Sequence, residues 1–172
     1  TIAIDWQISD DAVCVEVDQT QFSQCIVNLA INARHAMATG GRLTLGVECV
    51  ALDEPTTVSH GNVLSAGSYA RISIADTGCG MSRETLQRIF EPFFTTKGTG
   101  KGTGLGLALV YGMIGNAGGV IDVQSELGKR TKFSLYLPAS DKAPDALLAI
   151  ASSAAVIAEN HRVDRCAISI RP

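Results

Sequence analysis

At the start of the chain, apolar and polar residues alternate with a period of two. Ile2, Ile4, Trp6 and Ile8 share one parity, then Val13, Val15 and Val17 share another. This predicts two strands that turn at Ser9-Asp10-Asp11. Alternation returns at 42–49, where Leu43, Leu45, Val47 and Cys49 oppose Arg42, Thr44, Gly46 and Glu48, and again at 69–76, with Ala70, Ile72 and Ile74 on one side. A last pair is predicted at Val120–Gln124 and Lys132–Leu137, with Phe133, Leu135 and Leu137 inward. Strands with one wet face predict a sheet covered by helices on one side only.

Between these strands the period becomes helical. Phe22, Ile26, Leu29, Ala33 and Met37 form one stripe of a helix over 19–38, which stops at Gly40-Gly41. A short helix is expected after Ser82, a good N-cap. A third starts near Gly104, with Leu107, Val110, Tyr111 and Ile114 on one face. Residues 51–68 are polar and weakly patterned and read as a loop. Residues 92–104, rich in Gly, Thr and Lys, read as a mobile loop. Pro138 ends the patterned region. The Ala-rich stretch 139–172 is a separate tail or linker, with one helix expected at 145–158 and a strand at 166–170.

Composition narrows the class. A chain of 172 residues with 46% hydrophobic and 18% charged residues is one globular domain with a core of its own. A net charge of −3 argues against a nucleic-acid surface. The longest uncharged run, 102–121, carries seven glycines and is a poor membrane helix. No signal peptide opens the chain, because residues 1–18 hold five acidic side chains. Cys14, Cys25, Cys49, Cys79 and Cys166 are widely spaced with no C-x-x-C pair, so reduced thiols in a cytoplasmic protein are expected.

Three constellations carry chemistry. On the 19–38 helix, Gln21, Gln24, Asn28, Asn32 and His35 fall on one side, with the two asparagines at i and i+4. An amide oxygen is a neutral, hard ligand suited to Mg²⁺ that also touches phosphate and water. The same stripe also fits a solvated helix face. Next, Asp76-Thr77-Gly78-Cys79-Gly80-Met81 closes a strand. Asp76 keeps the inward parity of Ile72 and Ile74, and a buried carboxylate needs a partner. The exocyclic amine of adenine is a matching donor. A plain strand-ending turn fits these residues equally well. Last, glycines at 98, 100, 102, 104 and 106 run directly into a helix, with Lys97, Thr99, Lys101 and Thr103 among them. Backbone N–H groups at a helix N-terminus favour an anion, so phosphate binding is expected here. The pattern is neither a Walker A loop nor a dinucleotide fingerprint.

In order, these motifs resemble the catalytic and ATP-binding domain of bacterial sensor histidine kinases. That family belongs to a superfamily with DNA gyrase, a heat-shock chaperone and mismatch-repair ATPases. Asn28-Leu-Ala-Ile-Asn-Ala33 resembles the N box and Asp76-Thr-Gly-Cys-Gly80 the first glycine box. Phe90-Glu-Pro-Phe-Phe94 resembles the F box and Gly102-Thr-Gly-Leu-Gly106 the second glycine box. The resemblance covers 1–138, and Asn32-Ala-Arg-His-Ala-Met37 with Phe-Phe-Thr-Thr-Lys97 is most similar to hybrid and PAS-linked kinases.

The resemblance implies a Bergerat-type α/β two-layer sandwich, with a mixed, mostly antiparallel sheet and helices on one face. It implies Mg²⁺ at Asn32, phosphate support from Asn28, and an adenine contact at Asp76 with Gly78, Gly80 and Met81 beside it. Gly102, Thr103, Gly104, Leu105 and Gly106 would form the lid hinge and touch phosphate, and Thr131 would sit near adenine. Lys97 and Lys101 would neutralise charge during transfer. His35 stands where relatives often have an acidic residue or lysine, and surface exposure is expected for it. Arg130 replaces a glycine in Gly128-Lys-Arg-Thr131 and is expected to reshape that turn.

The implied function is transfer of the γ-phosphoryl group of ATP to a histidine on a separate dimerisation and phosphoacceptor domain, ahead of a response regulator or receiver domain. Hydrolytic superfamily members place a glutamate where Asn28 stands. A phosphoacceptor domain is not expected within these 172 residues, since His35, His60 and His161 lack the expected acidic neighbour. The chain is therefore expected to be part of a longer protein, a poor autokinase and a monomer by itself. An ATPase of the chaperone or repair type and a non-catalytic, nucleotide- or partner-binding regulatory module are the alternatives.

Overall fold

The computed structural model describes residues 1–9, 13–97, 102–140, 147–148 and 168–169. Its strands are β1 (Ile2–Ile8), β2 (Val13–Cys14), β3 (Gly41–Leu52), β4 (Thr56–Thr57), β5 (Val63–Leu64), β6 (Gly67–Asp76), β7 (Val120–Glu126), β8 (Arg130–Pro138), β9 (Leu147–Leu148) and β10 (Ile168–Ser169). Its helices are α1 (Gln19–Ala36), α2 (Arg83–Arg88) and α3 (Gly106–Asn116), with a 3-10 turn at Ser59–Gly61.

A five-stranded sheet runs in the order β1-β3-β6-β8-β7. β1 is parallel to β3, and the other neighbours are antiparallel. Residues directly opposite in a ladder share a face, so register draws rows across the sheet. One row is Ile8, Val47, Ile72, Leu135 and Ile121; the next is Trp6, Leu45, Ile74, Phe133 and Val123. A third row turns polar: Ile4, Leu43, Asp76, Thr131 and Ser125. The apolar rows hold the core, and the polar row forms its border.

α1 lays its stripe on these rows, with Phe22, Ile26, Leu29, Ala33 and Met37 at most 3% exposed. Asp18 caps it by accepting the Gln21 N–H at 2.8 Å. α3 adds Val110 and Ile114 to the same core. Ser82 caps α2 through the Thr85 N–H. Burial also pushes the Cys25 thiol up to about 11, and the described cysteines are unpaired. No described helix is long and apolar enough to cross a membrane.

Four expectations need correction. β1 and β2 do not form a hairpin: β1 pairs with β3 and β2 with β10, while Val15 and Val17 are buried without strand pairing. Alternation reveals a face, not a partner. The segment 51–68 is not a plain loop. It holds the β4–β5 hairpin and the 3-10 turn, which covers the free edge of β7: the Val123 N–H donates to Ser59 Oγ, and the Ser59 N–H to Asp122 Oδ1. The outer sheet face is accordingly not wholly wet, since Leu64, Tyr69 and Tyr136 make a second small core there. In the tail, Leu147–Leu148 is extended where a helix is expected; the remainder of 145–158 lies outside the described residues. The expected late strand appears as β10, between β2 and β9. Ala139 and Ser140 stay attached through backbone bonds to Ser68 and Cys14.

Ile72 sits in the first of these rows, on the central strand β6, and is 1% exposed. Its substitution by alanine leaves a void that the rigid sheet cannot close. A loss of about 2–5 kcal/mol is expected, read as a lowered urea midpoint without change in slope.

Candidate active site

A cavity of about 850 Å³ opens between α1, the end of β6, α2, residues 94–97 and 102–104, and the start of α3. Of the sequence-predicted site residues, Asn28, Asn32, Asp76, Gly80, Met81, Lys97, Gly102, Thr103, Gly104, Gly106 and Thr131 line it. Gly78 and Leu105 stand behind the wall. Gly78 donates its N–H to Asp76 Oδ1 at 2.8 Å, and Leu105 is the N-cap residue of α3. Lys101 lies outside the described residues.

Asp76 is 5% exposed. Burial raises its pKa, and the backbone N–H groups of Gly78 and Thr131 pull the other way. It is the single carboxylate lining the cavity among the described residues. The turn after it is fastened on several sides. The Cys79 N–H donates to the Ala36 carbonyl at 3.0 Å, and the Gly128 N–H donates to the Cys79 carbonyl at 2.7 Å. The Met81 N–H donates to Ser125 Oγ at 2.9 Å, and Ser125 Oγ lies 2.9 Å from Thr131 Oγ1. Gly80 has a φ of +60° and lies against the Glu126 carbonyl, so a Cβ there would overlap backbone.

The turn between β7 and β8 is not reshaped by Arg130, which is exposed and opens β8 opposite Glu126. Gly128 makes the turn: the Lys129 N–H donates to the Glu126 carbonyl at 3.0 Å, and the Gly128 φ of +79° suits the third position of a type II turn.

On α1, Asn28 Oδ1 accepts from Gln24 Nε2 at 3.3 Å. Asn32 Oδ1 accepts from Lys97 Nζ at 3.3 Å, and the same ammonium lies 2.8 Å from His35 Nδ1. His35 is exposed as expected, yet it belongs to the cavity wall. Its pKa is lowered by burial first, then by Lys97 and Arg34. The loop is closed at its base by the Phe93 N–H on the Gly104 carbonyl at 3.0 Å. The aromatic run is divided: Phe90 packs 4.7 Å from Tyr111, Phe94 reaches the cavity under Arg88, and Phe93 is exposed.

Sequence reasoning missed Ser125, which ties the glycine turn to β8, and the apolar wall of Ile31, Ile89, Leu107 and Phe133. Apolar wall residues carry no signal that separates them from core. Ser125 was detectable only as an inward polar residue at the end of an alternating strand.

A mixed sheet with helices on one face, glycine turns at the strand end and paired amides on the facing helix define an ATPase-type nucleotide domain. The chain belongs to the histidine kinase-, DNA gyrase B- and HSP90-like ATPase family, whose profile matches residues 17–141. It is 45% identical over 124 residues to the sensor kinase CckA of Brucella abortus (strain 2308), covering 72% of this chain and 13% of that protein. To the sensor histidine kinase ZraS of Klebsiella oxytoca it is 38% identical over 136 residues, covering 78% of this chain and 26% of that one. Full-length ShkA, solved in complex with AMPPNP, matches with a TM-score of 0.64 at 31% identity, over 83% of this chain and 26% of that one. The chain spans between 13% and 26% of the length of these proteins.

The raised Asp76 pKa has a stability consequence. Between the unfolded and the folded pKa the native state binds more protons than the unfolded one, so stability falls as pH rises through that window. Above it the full penalty of burying a charge is present. Asp76→Asn removes the titration. The variant is expected to be as stable as the parent or more so at neutral pH, and to lose the acid-side gain. Urea titrations from about pH 4, the ordinary Asp range, up to neutral pH check this; a less stable variant with an unchanged pH slope contradicts it.

Proposed function

We propose that this domain binds Mg-ATP in the cavity and transfers the γ-phosphoryl group to a histidine on a separate dimerisation and phosphoacceptor domain. The observation that carries the reading is that, among the described residues, no free carboxylate stands at the asparagine stripe. The cavity's described acid, Asp76, is committed to backbone N–H groups at the end of β6. Asn28 and Asn32 present amides, and an amide cannot act as general base for water. Among the described residues water therefore finds no carboxylate at the stripe to deprotonate it, and Nδ1 of the nearby His35 is occupied by Lys97 Nζ at 2.8 Å, whereas an acceptor imidazole brings its own nucleophilic nitrogen.

The residues fit the nucleotide. Asp76 accepts from the adenine amine, with Gly80 and Met81 beside the base and Thr131 behind it. Asn32 Oδ1 is a hard oxygen suited to Mg²⁺, phosphate and water completing the shell. When bound, the metal supplies charge neutralisation at the phosphates. Backbone N–H groups of Gly102 to Gly106 and of the first turn of α3 would meet the phosphate oxygens; that of Leu105 donates to Thr103 Oγ1 at 3.4 Å here and would have to exchange partners. Lys97, and Lys101 by the family resemblance, balance the charge that shifts to the leaving group. The nitrogen–phosphorus bond forms as the bond to the bridging oxygen breaks, and ADP leaves with that electron pair. The similarity to ShkA, solved with AMPPNP, supports the nucleotide; the sensor kinase relatives support the acceptor and a downstream response regulator. A domain that uses ATP is expected on the cytoplasmic side of the membrane, whether or not the longer protein is membrane-attached.

Titration calorimetry of ATP with and without Mg²⁺ tests the binding half. Binding is expected to strengthen with Mg²⁺ and to weaken about 10- to 100-fold in Asp76→Asn, the range for a lost hydrogen bond to a charged group. The transfer half is tested with γ-labelled ATP and a phosphoacceptor domain added in trans: acid-labile, base-stable label on the acceptor is expected. No binding at millimolar ATP, or steady hydrolysis without acceptor, would overturn the proposal.

A further inference from the structure

Lys97 is separated from His35 by 62 positions, yet it reaches back onto α1 and ends between two acceptors. An ammonium only donates. Asn32 Oδ1 and His35 Nδ1 must both accept from it, and His35 must then carry no proton on Nδ1. The phosphate chemistry above uses neither contact. There Lys97 belongs to the phosphates and Asn32 Oδ1 to a divalent cation. The two arrangements compete, because an ammonium and a divalent cation drawn to one amide oxygen repel each other at close range.

We propose that His35 is a positioning residue for Lys97: it holds the lysine on α1 over the oxygen of Asn32 and releases it to the phosphates when Mg-nucleotide binds. This rests on the ATP reading of the site. The charged groups acting on His35 are Lys97 from the facing loop and Arg34 from its own helix. Both are cations, and with burial they keep the imidazole neutral at neutral pH. Phosphates act in the opposite sense. Protonation turns Nδ1 into a donor, repels Lys97 and frees Asn32. Nucleotide binding and protonation of His35 therefore favour each other, which is a thermodynamic linkage and works in both directions.

The test uses the whole 172-residue chain. Without nucleotide, an NMR titration of the His35 ring is compared with Lys97→Met. Loss of the neighbouring cation is expected to raise the His35 pKa; an unmoved value overturns the contact. Mg-ATP affinity is then measured near pH 6 and pH 8 in the parent, His35→Ala and His35→Gln. The parent is expected to bind about fivefold or more tightly at the lower pH, on the scale of ordinary site coupling. His35→Ala should lose that difference and bind at pH 8 at least as tightly as the parent. His35→Gln, whose amide oxygen accepts at every pH, should keep the weaker pH 8 affinity without the pH response. The titration of ATP itself is common to all three proteins and cancels. A pH response that survives in His35→Ala overturns the proposal, and so does equal weakening at both pH values, which means direct contact with nucleotide. If the parent binds no Mg-ATP while Lys97→Met still moves the ring, the ATP reading fails and the positioning role falls with it, though the Lys97–His35 contact stands.

Discussion

The register of β6 against β3 and β8 decides where the cavity's carboxylate stands. Asp76 lies opposite Leu43 on one side and Thr131 on the other. It shares its face with Ile72 and Ile74, so the apolar rows that bury those residues also aim Asp76 inward. A slip of one position would turn the carboxylate to the outer face. The aliphatic core is therefore what sets the geometry of the polar site. The turn that follows inherits this placement. Its bonds to Ala36, Ser125 and the β7–β8 turn join helix, strand end and hairpin into one wall.

α1 answers the same constraint from the other side. Its buried stripe fixes rotation about the helix axis, and the asparagines and His35, lying off that stripe, then face the cavity. Asp76 is held at a cost. Burial disfavours its charge, and the N–H groups of Gly78 and Thr131 offset only part of that. A residue that destabilises the charged form of the fold is retained where it can meet a donor, the pattern expected of a binding group rather than a structural one.

Much of this was legible in the chain. Alternation placed the inward faces of β3, β6 and β8 and marked β7 as a strand, helical spacing placed α1, and Ser82 marked the start of α2. Partnership was not legible. Ile2 to Ile8 alternates well enough for any sheet neighbour, and only the fold sets it parallel beside β3. Two-residue strands such as β4 and β5 carry no measurable period, so 51–68 read as a loop. The glycines at 78 and 80 read as room for close approach to the base; in the fold one lies against Ala36 and the other against Glu126. Arg130 looked like a disturbance because motif reading counts positions, whereas the turn needs only one residue with positive φ, and Gly128 supplies it.

The contact of Lys97 with Asn32 and His35 was beyond sequence reasoning for another reason. The sequence sorts Lys97 with the glycine loop by composition and His35 with the helix face by spacing. It assigns Lys97 to the phosphates and His35 to the exposed surface, without relating them to each other. Charge explains why they meet. Lys97 and His35 line the cavity and Arg34 acts on His35 from the same helix, with no described carboxylate except Asp76 in the lining. Cations gathered in that way repel, and a neutral imidazole is the one member of the set that can accept a proton donor. The asparagine oxygen is the other acceptor within reach. A site built to receive phosphate must hold positive charge before the phosphate arrives, and here a neutral amide and a neutral imidazole hold it without the competing attraction that a carboxylate would exert.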